Sequence, residues 1–295
     1  MASQRDVKNR IASVKNIQKI TRAMEMVAAA RLRRAEQRIA RLRPYADAIR
    51  RMTSQAAAAA GSEASSFPLL AEHEKVENVG LLLITGDRGL AGAFNSQIIR
   101  AGVRAGSELA EEGLQSVWYA TGRRGVSSLT FRGRELSGSY TGFTDRPGYA
   151  DARGIADDLI SAYVDGRLDR VDILYNSYVS PLTQHVTRET LLPLSKAVLD
   201  EEEDGNAGPQ ALVEYEPGPE EILKRLVPDY IEISIYRALI ESTAGFFGAQ
   251  MTAMRNASEN AGTLIEEYTL QMNRARQAEI TQEIMEVVAG AEGLN

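Results

Sequence analysis

The chain has 295 residues, 44% of them hydrophobic and 25% charged, and a net charge of −6. It contains no cysteine, which excludes disulfides, thiolate catalysis and cysteine-ligated metals. No apolar run is long enough to span a membrane, and the basic N-terminus lacks the apolar core of a signal peptide, so we expect a soluble chain.

The first segment is strongly basic. Residues 1–52 hold fourteen Lys and Arg and four Asp and Glu, a net charge of +10, which leaves −16 on the remainder. Such asymmetry indicates that this segment faces an acidic partner, either within the chain or outside it.

This basic segment predicts a long helix. Neither Gly nor Pro occurs from Ala2 to Arg43. Apolar residues recur at steps of three or four and draw one stripe along a helix, namely Val7, Ile11, Val14, Ile17, Ile20, Met24 and Val27. A helix of this length, about 60 Å, exceeds the diameter of a small domain and must protrude or pair with another long helix.

The middle of the chain alternates between strand and helix patterns. Strands are predicted at 79–85, 116–121 and 171–178, and helices at 95–113, 123–129 and 150–166. This alternation is typical of βαβ units with a mainly parallel sheet. A further strand at 184–191 is expected to lie antiparallel at one edge, and 61–78 and 200–209 read as loops.

The C-terminal part predicts a second long helix. No proline follows Pro228, and apolar residues continue at helical spacing with one slip of the kind called a stutter. They are Met254, Ala257, Ala261, Leu264, Tyr268, Met272, Ala275, Ile280, Ile284 and Val287. Residues 229–295 carry ten acids and four bases, so this helix suits a coiled coil with the basic one. The alternative is two unrelated amphipathic helices packed on one core.

A glycine-rich turn joins the first predicted strand to the following helix. It comprises Gly86, Asp87, Arg88, Gly89 and Gly92, so its glycines are spaced G-x-x-G-x-x-G. The dinucleotide fingerprint needs G-x-G-x-x-G, and a P-loop ends in Gly-Lys-Ser/Thr. We therefore expect a structural or docking turn, with phosphate binding as the alternative.

The sequence shows no catalytic machinery. His73 and His185 are the only histidines and lie far apart, and the acidic run at 200–204 reads as a solvated loop in preference to a cation site. No nucleophile elbow or zinc-protease motif occurs. We predict no catalytic residue, no cofactor and no metal.

Three segments resemble a known family. They are KNRIASVKNIQKITRAMEMVAAARLRRA (8–35), TGDRGLAGAFN (85–95) and RARQAEITQEIMEVVAGA (274–291). Together they identify the chain as similar to the γ subunit of bacterial F-type ATP synthase, and the run at 280–291 is the most specific of the three.

The resemblance implies an α/β protein: a long antiparallel coiled coil of the N- and C-terminal helices plus a Rossmann-like central α/β domain. The shaft helices would occupy 1–60 and 217–295, and the foot domain 76–216. The shaft would turn inside three α and three β subunits, which carry the active sites. The foot would contact the ε subunit and the c ring. The chain would bind no nucleic acid and lie peripherally on the cytoplasmic face of the bacterial membrane, held there through the complex.

The resemblance also assigns contact residues. Met24 falls where the shaft meets loops of the β subunits, and Arg276, Gln277, Thr281 and Glu283 match the C-terminal catch and its surroundings. The arginines Arg31, Arg33, Arg34 and Arg38 would face acidic loops of β; the alternative is that they are simply solvated or pair with the C-terminal helix. The family usually has a basic residue where Gln250 stands, so a charged contact made there would be lost or replaced.

Two other function classes remain open from sequence alone. A Rossmann-type enzyme would use the glycine turn to bind a nucleotide, but its glycine spacing argues against it. A nucleic-acid adaptor would use the basic helix, but the −16 charge of the remainder and the lack of interleaved aromatic residues argue against it.

Overall fold

The computed structural model describes residues 4–61, 67–194 and 218–292, so the acidic run at 200–204 lies outside the described residues. In chain order, two long helices flank a segment of alternating strands and helices. The helices are α1 (Gln4–Ala60), α2 (Phe94–Glu111), α3 (Arg123–Phe131), α4 (Tyr149–Val164) and α5 (Pro219–Glu292). The strands are β1 (Asn78–Ile84), β2 (Gln115–Thr121), β3 (Leu136–Tyr140), β4 (Arg170–Tyr178) and β5 (Gln184–Leu192).

The chain divides into two compact units. Residues 1–29 and 250–295 form one, hereafter the coil unit, and residues 30–249 form the other, the α/β unit. Helices α1 and α5 contribute to both.

The α/β unit is built on a five-stranded sheet of order β3-β2-β1-β4-β5. The first four strands are parallel, and β5 runs antiparallel to β4 at the edge, as the sequence predicted. The parallel order matches one half of a doubly wound fold, which places the turns after β1 and β2 at the same end of the sheet.

Helices cover both faces of this sheet. One face carries Leu82, Ile84 and Ile173 and shares a core with α4 and with the parts of α1 and α5 in this unit. The other face meets α2, where Gly102 approaches the side chain of Leu83 so closely that an added Cβ would lie 2.4 Å from it. Burial on both faces explains why the central strands read as continuous apolar runs.

Each of the two long helices contains an internal proline. Helix α1 continues from Arg43 through Pro44 to Ala60, and α5 begins at Pro219 and contains Pro228. A proline inside a helix costs about 3 kcal/mol. Buried residues that follow or precede each proline offset this cost, namely Ile49, Ala56 and Ala57 on α1 and Leu223, Leu226 and Val227 on α5.

Strand β3 was not predicted. Its sequence, Leu-Ser-Gly-Ser-Tyr, has low β-propensity and no buried apolar residue, because it lies at the edge of the sheet. Gly138 is required there, since an added Cβ would lie 2.6 Å from the ring of Tyr119.

The buried seam of α1 in the coil unit differs from the predicted apolar stripe. The two coincide at Val7, Ile11 and Val14, but the seam then continues through Gln18, Thr21, Glu25 and Ala28. These positions advance 21 residues in six steps, which is the 3.5-residue period of a coiled coil. The predicted stripe advances more slowly and leaves the seam, so Ile17, Ile20 and Val27 are 52–59% exposed.

The α5 seam likewise corrects the predicted stutter. Ser258 and Ile265 occupy seam positions, while Leu264 is 40% exposed. With these two residues in place, steps of three and four alternate without interruption from Met251 to Ala275. The apolar pattern was misleading because a serine stands in the seam and a leucine outside it.

Candidate functional site: the exposed end of the coiled coil and the glycine turn

The coil unit is an antiparallel pair of helices. The side-chain amide of Gln18 donates to the backbone oxygen of Ser258 at 3.3 Å. One contact further along, Nε of Arg255 lies 2.9 Å from a carboxylate oxygen of Glu25. As α1 ascends from 18 to 25, α5 descends from 258 to 255, so the two helices run in opposite directions.

Pairing ends before α5 does. Among the residues whose exposure is described, Ala275 is the last half-buried one, and every residue from 276 to 289 is exposed. We call residues 276–289 the free end of α5. It contains fourteen residues, or roughly 20 Å of helix. Its exposed apolar side chains include Ile284, Met285 and Val287.

Four of the five predicted contact residues lie together on the free end. Arg276, Gln277, Thr281 and Glu283 are all exposed. The only hydrogen bond described among them is local, from the Thr281 hydroxyl to the Gln277 backbone oxygen at 2.8 Å. Their side-chain charges and amides therefore remain available to a partner.

Met24 lies elsewhere on the coil. It is half-buried and is followed by Glu25, which pairs with Arg255. Twenty-one residues of α5 separate Arg255 from Arg276, roughly 30 Å along the helix. The five predicted residues thus form two separate surfaces.

Sequence reasoning missed the pairing residues of the coil. Glu25 and Arg255 form the ion pair described between α1 and α5 in this unit, and Gln18 supplies a hydrogen bond. A strict heptad count starting at Val7 would have placed Gln18 and Glu25 in the seam. Gln250, which replaces the family's basic residue, is half-buried.

The glycine turn uses its backbone donors internally. The N–H of Gly86 donates to the Asn95 side chain, and the N–H of Asp87 donates to the Thr144 hydroxyl, both at 2.8 Å. A phosphate-binding loop must aim such N–H groups at the ligand. These two are already committed, so the geometry favours the structural interpretation of the turn.

Asp87 stabilises the start of α3. Its carboxylate accepts a hydrogen bond from the N–H of Arg123 at 3.1 Å, and it also accepts from the N–H groups of Gly142 and Thr144 and from the Thr144 hydroxyl. Burial opposes the charged form, but these hydrogen bonds outweigh it and lower the pKa of Asp87 below its usual value. The carboxylate thus fills the anion position at a helix N-terminus.

Two of the three glycines of the turn have a clear structural reason. Gly92 has φ +54°, in the left-handed region. A Cβ at Gly86 would lie 3.1 Å from the ring of Phe246, and one at Gly89 would lie 3.0 Å from the guanidinium of Arg124. Gly86 and Gly92 therefore need no ligand to explain them, whereas the guanidinium beside Gly89 is the end of a flexible side chain that can move aside.

A cavity of about 790 Å³ in the α/β unit has a lining of mixed charge. Two of its arginines are already paired, Arg188 with Asp172 at 2.7 Å and Arg237 with Glu189 at 2.8 Å. Its histidine, His73, bonds to Asp169 at 2.8 Å. These pairings give part of the charged lining a structural role.

The described residues contain no group of three or more His, Asp or Glu placed to hold a metal ion. Among the same residues, no helix combines the length and apolarity that crossing a membrane requires.

Comparison with known proteins gives a consistent result. A family profile described as ATP synthase matches residues 3–294. The chain is 43% identical over 294 residues to the ATP synthase gamma chain of Rubrobacter xylanophilus, covering all of this chain and 99% of that one. It is also 43% identical to the gamma chain of Moorella thermoacetica, with both chains covered completely.

Two solved structures are similar over most of the chain. A chain of the Euglena gracilis mitochondrial ATP synthase (OSCP/F1/c-ring) matches with a TM-score of 0.68 at 17% identity, covering 99% of this chain and 94% of that one. A chain of the Tetrahymena thermophila mitochondrial ATP synthase central stalk and c ring matches with a TM-score of 0.60 at 25% identity, covering 81% and 99%.

Proposed function

The chain belongs to the ATP synthase γ-chain family, and from that premise we propose that it carries rotation between a membrane-embedded c ring and the catalytic α and β subunits. It is a central-stalk subunit and has no catalytic role of its own. Residues 1–60 and 217–295 serve as the shaft, and residues 76–216 as the foot.

The free end of α5 carries this proposal. The free end continues beyond the part of α5 that pairs with α1, and all of its side chains are exposed. No described residue of the chain covers its apolar side chains. Exposed apolar surface marks a partner interface. We expect the free end to lie inside a collar of three α and three β subunits.

We assign the contact with the β subunits to the free end and to a second surface near Met24. On the free end, Arg276 and Gln277 offer donors and Glu283 offers an acceptor, with Thr281 between them. The second surface adds the exposed apolar residues of α1, Ile17, Ile20 and Val27, beside Met24.

Exposed contacts suit a rotating shaft. Breaking an exposed ion pair costs about 0.2–1 kcal/mol, whereas breaking a buried one costs about 3–5 kcal/mol. A shaft held by several weak contacts does not become trapped in one orientation. Stiffness must then come from the paired seam of α1 and α5.

The remaining partners follow from the family. We propose that the foot contacts the ε subunit and the c ring, and that the protein lies on the cytoplasmic face of the bacterial membrane, held there by the complex.

The test compares two variants in the assembled complex. The double variant Arg276→Ala, Gln277→Ala removes both donors of the free end. Arg274→Ala, the matched control, removes an equal charge from the same helix at an exposed position two residues away. We expect ATP turnover of the double variant to fall by about two- to tenfold and that of the control to stay near wild type.

The possible outcomes test the rotor assignment and the assignment of the contact residues separately. If the wild-type chain does not copurify with α and β subunits, the rotor assignment is wrong. If it does, and the double variant matches the control in turnover, the rotor assignment stands and the contact assignment is wrong.

A further inference from the structure

The loop between β3 and α4 contacts three other parts of the α/β unit: the glycine turn, α1 and α5. We call residues 141–148 the clamp loop. Its residue Thr144 contacts the glycine turn, because its hydroxyl donates to the Asp87 carboxylate and accepts from the Asp87 N–H, both at 2.8 Å. The Thr144 backbone oxygen accepts a hydrogen bond from Thr243 of α5 at 2.9 Å.

The next residue ties the loop to α1. One carboxylate oxygen of Asp145 lies 3.1 Å from Nη1 of Arg31 on α1 and 3.3 Å from Nε of Arg88 in the glycine turn. The same Arg31 guanidinium lies over the ring of Phe247 on α5, 5.4 Å from its centre.

A third attachment follows two residues later. The Arg38 guanidinium of α1 donates to the backbone oxygen of Pro147. It also donates to the hydroxyl of Tyr236 on α5 at 3.0 Å. Within four consecutive positions, 144 to 147, the clamp loop therefore binds α1, α5 and the turn that leaves β1.

These contacts differ in kind from the core beneath them. Apolar packing opposes the separation of a helix from the sheet. Because it is non-directional, it opposes sliding or rotation of the helix on the sheet less strongly than separation. Hydrogen bonds weaken steeply with angle, and charge-assisted bonds are the stronger class. A loop that fixes both helices through such bonds opposes their rotation relative to the sheet.

We propose that the clamp loop is the joint that passes torque between the sheet and the two long helices, with Asp145 as its main positioning residue. This inference rests on the proposed rotor function. Asp145 matters most because it holds two guanidinium groups at a single oxygen. Without its charge, Arg31 and Arg88 lose the negative charge that they share and repel each other.

The experiment uses the complete complex with wild-type and variant chains. Because the chain has no cysteine, one introduced at the exposed Ser107 on α2 attaches a rotation probe to the sheet. Torsional stiffness between the probe and the collar is read from angular fluctuations, and ATP hydrolysis and ATP-driven ion pumping are measured in vesicles.

We expect Asp145→Asn to keep its ATP hydrolysis while torsional stiffness and ions pumped per ATP fall by about twofold or more. Asp145→Glu should restore part of both. The matched control is Asp165→Asn, which removes the same charge from an exposed pair with Arg167 in the same unit. It should leave both quantities unchanged.

A second variant tests the proposal independently, in case the first variant misfolds. Thr243→Val keeps the side-chain shape but removes the hydroxyl bonded to Thr144, and it should also lower stiffness. If the wild type rotates and both variants keep wild-type stiffness and pumping, the clamp proposal is overturned while the rotor function stands. If the wild-type probe does not rotate, the rotor function itself has failed.

Discussion

At the residue scale, Asp87 shows how a motif resembling a nucleotide site serves the fold. The glycine spacing alone predicted a structural turn, and the committed N–H groups of Gly86 and Asp87 agree with that interpretation. The sequence could not show what Asp87 binds, because Gly142 and Thr144 lie 55 and 57 residues away. Such pairing depends on which strands become neighbours.

The carboxylate of Asp87 should stabilise the fold in a pH-dependent manner. Because its folded pKa is lowered, its contribution is present above the ordinary pKa of about 4 and is lost as the pH falls through the folded pKa. We expect Asp87→Asn to reduce the free energy of unfolding by about 1.5–3 kcal/mol at pH 7. Urea unfolding at several pH values should show this difference shrinking below about pH 4. A difference that does not change with pH would contradict the assignment.

A second residue-scale prediction concerns Gly122, which precedes α3. It has φ +82°, and an added Cβ would lie 2.3 Å from the backbone oxygen of Thr85. We expect Gly122→Ala to lower the free energy of unfolding by about 1–3 kcal/mol or more. Gly154→Ala, with no atom within 4 Å of the added Cβ, is the control and should be neutral or stabilising.

At the element scale, the sequence predicted the long helices and most strands but not the register of the coil. An apolar stripe suffices to predict a helix, and it identified α1 and α5. The seam depends on which face meets the partner helix, and that face includes Gln18, Thr21 and Glu25. The apolar pattern alone could not distinguish this face from its apolar neighbour, whereas a strict heptad count from Val7 would have included Gln18 and Glu25.

A pair of matched substitutions tests the register. Ile11 is 8% exposed and Ile17 is 52% exposed, although both belong to the predicted stripe. We expect Ile11→Ala to lower the free energy of unfolding by about 2–4 kcal/mol and Ile17→Ala to change it by less than about 0.5 kcal/mol. Thermal unfolding of the isolated chain measures both. Equal losses would mean that the seam follows the apolar stripe instead.

At the scale of the whole molecule, the chain needs its partners in order to act. The sheet and the two long helices could be predicted because strand–helix alternation and long uninterrupted helices are strong patterns. The contacts of the free end could be assigned only by resemblance, since no residue within the chain covers Arg276 or Gln277 among the residues described.

We therefore expect the isolated chain to show no ATP hydrolysis and to stimulate or support turnover only with α and β subunits. Steady-state assay of the purified chain, with and without these subunits, measures this. Activity in the pure chain that survives the Arg276→Ala, Gln277→Ala variant but disappears on changing Gly89 would place chemistry at the glycine turn and refute the assignment.

The antiparallel coil also affects how the protein is made. Gln18 and Ser258 are separated by 240 positions, and Glu25 and Arg255 by 230. At ribosomal rates of about 5–20 residues per second, the start of the chain waits on the order of 10–50 s for its partner helix to emerge. During this interval the seam of α1 is not covered by α5. Gln18, Thr21 and Glu25 interrupt what would otherwise be a continuous exposed apolar surface. We expect these polar residues, which weaken the finished coil, to reduce aggregation of the nascent chain.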